Sequence, residues 1–200
     1  MKIEKKPNSG VLLTLPAWLD KILSGGEIVI PDPEERMRWV IELSRQNVEH
    51  VSGGPFAAAV FAGGSGKLLA AGVNRVEPLN CSPAHAEVIA IALAQQNLQT
   101  WDLGKDAKSP TELVTSSQPC LMCLGAILWS GVISVTYAAT AADITAILGF
   151  DEGPLPAAWP KELQKRGIMV KAEFLRAEAI AVLELYKKKQ GTIYNSRKGF

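Results

Sequence analysis

His85-Ala86-Glu87 and Pro119-Cys120-Leu121-Met122-Cys123 are the two stretches on which the reading of this chain turns. The chain has 2 histidines and 3 cysteines, and one His and two Cys of that small stock sit in these motifs. Ala84 to Gln96 is rich in Ala, Leu and Ile and reads as a helix, with His85 and Glu87 in its first turn. Cys120 to Trp129 reads as a second helix, stopped by Gly131. Pro119 suits its start, where the amide that proline lacks would be unpaired anyway. Cysteines three apart on a helix share a face, so both sulfurs can reach one ion. Two helix N-termini aimed at one spot supply positive potential, which favours thiolates.

Around these motifs the chain alternates strands and helices. Pro31-Asp32-Pro33-Glu34-Glu35 reads as a helix start, and Met37, Val40, Ile41 and Val48 give its apolar stripe to about Glu49. Phe56–Ala62 and Leu68–Val73 are short apolar runs on either side of Gly63-Gly64-Ser65-Gly66, the pattern of a hairpin. Residues 75–83 read as irregular. Further strands are expected at Leu113–Thr115, Val132–Ala138 and Met169–Phe174, with helices at Ala141–Leu148 and Arg176–Lys189 and a Pro-rich loop between them. The hairpin predicts an antiparallel edge and the alternation after it predicts parallel crossovers. The expected fold is α/β: a three-layer α/β/α sandwich around a mixed sheet of about five strands.

A hydrophobic content of 48% and a charged content of 20% suit a well-cored globular chain, long enough to need no structural metal or disulfide. A metal here is therefore expected to serve chemistry. The net charge of +1 is a poor footprint for a protein that tracks a polyanion, so nucleic acid is disfavoured as a partner. Lys187, Lys188, Lys189, Arg197 and Lys198 read as a solvated helix end and tail. No apolar run reaches membrane-spanning length. Lys2, Lys5 and Lys6 precede apolar Val11–Leu19 as in a weak secretory signal, but Pro16 interrupts the run and Asp20-Lys21 closes it. Residues 1–32 are expected to be an N-terminal arm packed on a domain of residues 33–200. An odd number of cysteines, two of them in Cys-x-x-Cys, is no disulfide framework and points to a reducing compartment, the cytoplasm.

Three protein ligands, His85, Cys120 and Cys123, leave one tetrahedral position for water, the arrangement of a catalytic rather than a structural Zn2+. Zinc lowers the pKa of its water from ~16 to about 7. Glu87, two positions beyond His85, lies off the ligand face and can take the water's proton. Two other readings stand beside this one. The Cys pair could be a redox couple, or the site could be a closed structural zinc module with Cys81 or His50 as its fourth ligand.

His-x-Glu followed by Pro-Cys-x-x-Cys is the signature of zinc base deaminases, and with its strand pair and two helices in that order the chain resembles the cytidine-deaminase-like superfamily. Within it, the chain is similar to small zinc-dependent bacterial guanine deaminases. That likeness is carried by Gly54-Pro55-Phe56-Ala57-Ala58-Ala59-Val60, Gly72-Val73-Asn74-Arg75-Val76, Cys81-Ser82-Pro83-Ala84-His85-Ala86-Glu87, Gly125-Ala126-Ile127-Leu128-Trp129-Ser130-Gly131-Val132 and Gly149-Phe150-Asp151-Glu152-Gly153-Pro154. The resemblance implies a deaminase domain over residues 33–200 that converts a free base, best guanine to xanthine and ammonia, as a hydrolase of a cyclic amidine C–N bond. It implies Glu87 and Glu152 as catalytic carboxylates. Asn74, the Ala86 amide, Phe56, Trp129 and Asp151 would surround the base. Other amino-heterocycles remain open as substrates: ammeline or another triazine, a pterin, cytosine or a nucleoside. So does the adenosine of a tRNA. The resemblance also implies a homodimer, with Thr192–Phe200 reaching a partner's site through Tyr194. One departure is visible: Gln118 stands where the family commonly has Glu before Pro-Cys.

Overall fold

Five strands form one sheet in the order β2-β1-β3-β4-β5. They are β1 (Ala57–Ala62), β2 (Lys67–Val73), β3 (Thr111–Ser117), β4 (Ser134–Ala139) and β5 (Met169–Lys171) in a computed structural model that describes residues 10–106 and 110–195. β1 is antiparallel to both neighbours, while β3, β4 and β5 run parallel. The mixed sheet predicted from the hairpin and the later alternation is the one observed. Strand parity divides the core into two layers. Ala57, Ala59, Phe61 and Val114 face α2 (Pro33–Glu49), α6 (Ala141–Leu148) and α8 (Arg176–Lys188). Ala58, Val60, Leu113 and Val135 face α4 (Ala86–Asn97), α5 (Leu121–Ser130) and α7 (Trp159–Gln164). Continuous apolar runs such as Ala57–Phe61 follow from this burial on both faces.

Local chemistry sets the helix ends. The Asp32 carboxylate accepts from the amides of Glu34 and Glu35, and Pro33 opens α2. Thr140 and Asp143 close a reciprocal capping box on α6. Gly72 lets the first turn of α4 lie close on β2, since a Cβ there would stand 2.6 Å from the Ala86 carbonyl oxygen. That contact puts the His85-Ala86-Glu87 stretch against the sheet.

Three helices depart from the expected pattern. α1 (Ala17–Leu23) forms in the N-terminal arm and buries Leu19 completely. α3 (Val76–Leu79) is a short turn within the stretch read as irregular. α7 begins at Trp159 with Pro160 in its first turn, so that proline opens a helix rather than extending a loop. β5 stops at Lys171, and the chain then bends through Glu173 and Leu175, both with a left-handed φ of 58°. The arm is tied down at a second point by Arg36. Its guanidinium donates to the carbonyls of Ile30 and Pro31 and pairs at 2.6 Å with Glu112 on β3. Among the described residues no helix is long and apolar enough to cross a membrane.

Candidate active site

The site lies where β3 and β4 end, beside the start of β1 and the end of β2. Ligands gather at this carboxyl edge of parallel strands, because the chain leaves the sheet there in loops and helix starts. His85 caps α4 and Cys120 caps α5, each with extended backbone. Both therefore stand just before the helices in whose first turns the sequence reading put them, and only Cys123 lies inside α5. His85 Nδ1 is 3.6 Å from the sulfur of Cys120 and 3.6 Å from that of Cys123. All three ligand atoms lie within 4.8 Å of one another. A tetrahedral zinc, with Zn–S about 2.3 Å and Zn–N about 2.0 Å, separates N and S ligands by roughly 3.5 Å. The donor set and its spacing therefore fit zinc.

Cys81 and His50, the spare ligands that could have closed the site, are outside this cluster among the described residues. His50 stacks on Trp18 instead, with ring centroids 5.4 Å apart. The hydrogen bond with Cys123, helped by the His85 imidazole, holds the Cys120 thiol down at about 4. Cys120 and burial together push Cys123 well above the usual thiol range. The pair thus holds one thiolate charge close to the imidazole, which is the beginning of a metal site.

Glu87 is buried beside the ligands. The Thr115 hydroxyl donates to its Oε1 at 3.2 Å and the Cys123 thiol to its Oε2 at 3.3 Å. Burial raises its pKa, and the Cys120 charge adds to the effect. Burial also pushes Glu152 up to about 8, reinforced by Cys120 and Glu87. A dication among these groups would draw both carboxyls back down. The Glu152 carbonyl accepts from the Leu121 amide at 3.1 Å, which pins its loop to the start of α5.

A cavity of about 380 Å³ opens onto these groups, and Phe56, Asn74, Asp151, Glu152 and Tyr194 line it with His85, Glu87 and Cys120. Ala86 is buried at the first position of α4, where a backbone N–H has no acceptor within its own helix. Asn74 is 1% exposed. Its Oδ1 accepts from the amides of Gly54 and Val76, which fixes the side-chain orientation and leaves Nδ2 as a donor with no partner among the described residues. The Tyr194 hydroxyl sits next to Gly54 and this carboxamide. Phe150 ties Phe56 and Tyr194 together, with centroids 5.6 and 4.6 Å away. Asp151 braces its own loop: its carboxylate accepts from the Gly153 amide, and its amide donates to Asn195.

Two expectations need correction. Trp129 neither flanks the cavity nor joins the core; it is 84% exposed at the far end of α5. α5 is apolar on every side, so its sequence carries no polar face from which to read which side is buried. The tail, expected to reach a partner's site, places Tyr194 in the lining of its own chain's cavity; residues 196–200 lie outside the described residues. Sequence reasoning also missed Ser117 and Asn195, which line the cavity, and Asn47, which supports it. Only their tertiary placement marks them. The Gln118 departure has a simple geometry: its Oε1 accepts from the Ala141 amide at the start of α6, a contact that needs an acceptor but no charge.

Residues 31–139 match the family described as the cytidine and deoxycytidylate deaminase zinc-binding region, a span that contains all three ligands and Glu87. The chain belongs to this family. Zinc is the metal that the family's ligand cluster holds. Among similar proteins, guanine deaminase of Bacillus subtilis (strain 168) is 36% identical over 135 residues, covering 68% of this chain and 81% of that protein. A guanine deaminase structure from Nitrosomonas europaea is 47% identical, with a TM-score of 0.86, over 92% of this chain and 100% of that one. A structure solved in complex with 2,6-diaminopurine is 49% identical, with a TM-score of 0.86, over 94% and 98% of the two chains. The deaminase fold, and with it a hydrolase of cyclic amidine C–N bonds, is common to family and chain.

Proposed function

We propose that the protein is a zinc-dependent aminohydrolase that converts free guanine to xanthine and ammonia. The observation that carries this reading is one cavity, of about 380 Å³ and so with room for a base, in which a three-ligand site meets the buried Glu87 and the unpaired amide of Asn74. The similar proteins named guanine deaminases support the choice of base.

In the reaction a water oxygen bonds to the amine-bearing ring carbon, and the C–N bond then breaks to release ammonia. Zinc, when bound, supplies a water activated at neutral pH. Glu87 takes one proton from the attacking water and delivers it to a ring nitrogen, then carries the second, released as the former water oxygen becomes the product carbonyl, to the leaving amine. Its hydrogen bond from Thr115 keeps one carboxylate oxygen occupied and the group aimed. Glu152 lines the same cavity as the second carboxyl and serves as a further proton acceptor and relay for the base. Asn74 Nδ2 donates to the base, and the Ala86 amide, at a helix N-terminus, meets the ring carbonyl. Phe56 packs on the ring. Tyr194, which burial places well above the usual phenol range, stays protonated and lines the cavity. Asp151 acts through the loop it braces.

We infer a homodimer from the outer face of α5. Trp129 is exposed there, a Cβ on Gly125 one turn before it would meet nothing within 4 Å, and Trp101 nearby is 80% exposed. Trp129→Arg should then shift the protein to a monomer in sedimentation. Three free thiols, Cys81, Cys120 and Cys123, suit the reducing cytoplasm.

The functional test is ammonia release across guanine, adenine, cytosine, ammeline, pterins, their nucleosides and a tRNA. Guanine should lead by at least tenfold in kcat/KM. Preference for any other member of the panel would replace guanine as the substrate.

A further inference from the structure

Two residues that line the cavity each bury a side-chain polar atom with no hydrogen-bond partner among the described residues: Asn74 Nδ2 and Ser117 Oγ. The proposed function uses the first. Nothing so far uses the second, and buried hydroxyls are seldom left unpaired without a role. Ser117 is 4% exposed and is the last residue of β3. Its placement follows from strand parity. Ser116 points to the α2 side, where its Oγ accepts from the Ala57 amide. Thr115 and Ser117 point to the other face, and there Thr115 donates to Glu87. Ser117 is thus the next side chain beyond the support of the catalytic carboxylate, at the sheet edge. Neighbouring groups do not claim it, since Gln118 turns its Oε1 to Ala141.

The sheet order supplies the span. Asn74 follows β2, Phe56 precedes β1 and Ser117 ends β3, with β1 between the other two. Two strand spacings separate the Asn74 and Ser117 positions, about 10 Å at the backbone. A flat ring lying over Phe56 has one edge toward each. We propose that Ser117 is a substrate-binding residue whose Oγ hydrogen-bonds a polar ring atom on the edge of the base opposite to the one Asn74 holds. A hydroxyl donates and accepts, so it can meet either a ring nitrogen or a carbonyl. The pocket then selects a neutral heterocycle with polar atoms on two edges. This assignment rests on the reading that the site takes a free base.

The experiment compares zinc-loaded wild type, Ser117→Ala and Ser117→Thr with guanine as substrate. It also follows the rise in Tm on adding 2,6-diaminopurine, with each Ser117 change placed in the Glu87→Gln background so that no turnover intervenes. Ser117→Ala should raise KM about five- to tenfold and leave kcat within about twofold, the mark of lost binding rather than lost chemistry. It should shrink the ligand-induced Tm rise while zinc content and the ligand-free Tm stay level. Ser117→Thr, which keeps the hydroxyl, should recover most of both effects. An unchanged KM and ligand shift in Ser117→Ala would overturn the assignment. So would a loss of zinc or a fall in ligand-free Tm, which would make Ser117 structural. A wild type that neither releases ammonia from guanine nor responds to the ligand would overturn the parent reading, and the Ser117 assignment with it.

Discussion

Glu87 is held by the Thr115 hydroxyl on one oxygen, while the Cys123 thiol reaches the other only as long as no metal takes that sulfur, in a place too buried for bulk water to do its work. Glu87→Gln keeps the shape and removes the base. It should bind zinc at wild-type stoichiometry by metal analysis while ammonia release falls by about 10²- to 10⁴-fold. Retained turnover would mean that another group moves the proton. Gln118 makes a different kind of residue-scale case. Its acceptor contact to Ala141 is one that glutamate also makes, so Gln118→Glu should leave Tm and zinc content unchanged. Legibility at this scale follows chemistry. His85, Cys120, Cys123 and Glu87 could be read from sequence because metal ligation and proton transfer demand those residue types at that spacing. Ser117 could not, because being unpaired is a property of the folded surroundings. Trp129 was misread because a helix apolar all round gives no direction.

At the scale of elements, the end of β2 is held from α1 and α2. Trp18 of α1 donates to Ser52, Ser52 donates to Asn47 Oδ1, and Asn47 Nδ2 donates to the backbone carbonyls of Gly54 and Asn74. Gly53 permits this approach, since a Cβ there would stand 1.8 Å from the Asn74 oxygen. Asn47→Ala leaves two buried carbonyls without that donor and should cost about 1–3 kcal/mol in denaturant unfolding, with a higher KM because Asn74 loses its support. An unchanged Cm would show that the network does not carry the β2 end. A second link joins α6 to α8. Arg176, pairing at 2.7 Å, holds the Asp143 carboxyl well below the usual carboxylate range, helped by the Thr140 cap. Because the folded pKa is the lower one, this contribution is full above about pH 4 and is lost as pH falls through the depressed value. Asp143→Asn should therefore flatten the acid side of a Tm-against-pH curve and leave its slope above pH 6 alone. The long elements were legible from periodicity and caps. α1, α3 and α7 were not, being of 7, 4 and 6 residues, too short for a helical period to show.

For the whole molecule, the sheet is a scaffold whose carboxyl edge gathers every group of the site, while apolar layers pack on both its faces. Chemistry and stability are thereby separated: zinc serves the reaction, and the fold rests on burial. The measurement that tests this most directly follows guanine turnover and Tm through removal of zinc with a chelator and its return. The account predicts one ammonia and one xanthine per guanine consumed, loss of that activity in a chain that still unfolds cooperatively, and recovery at about one zinc per chain. A zinc-loaded protein that leaves guanine intact, or a metal-free one that still deaminates it, would contradict the account.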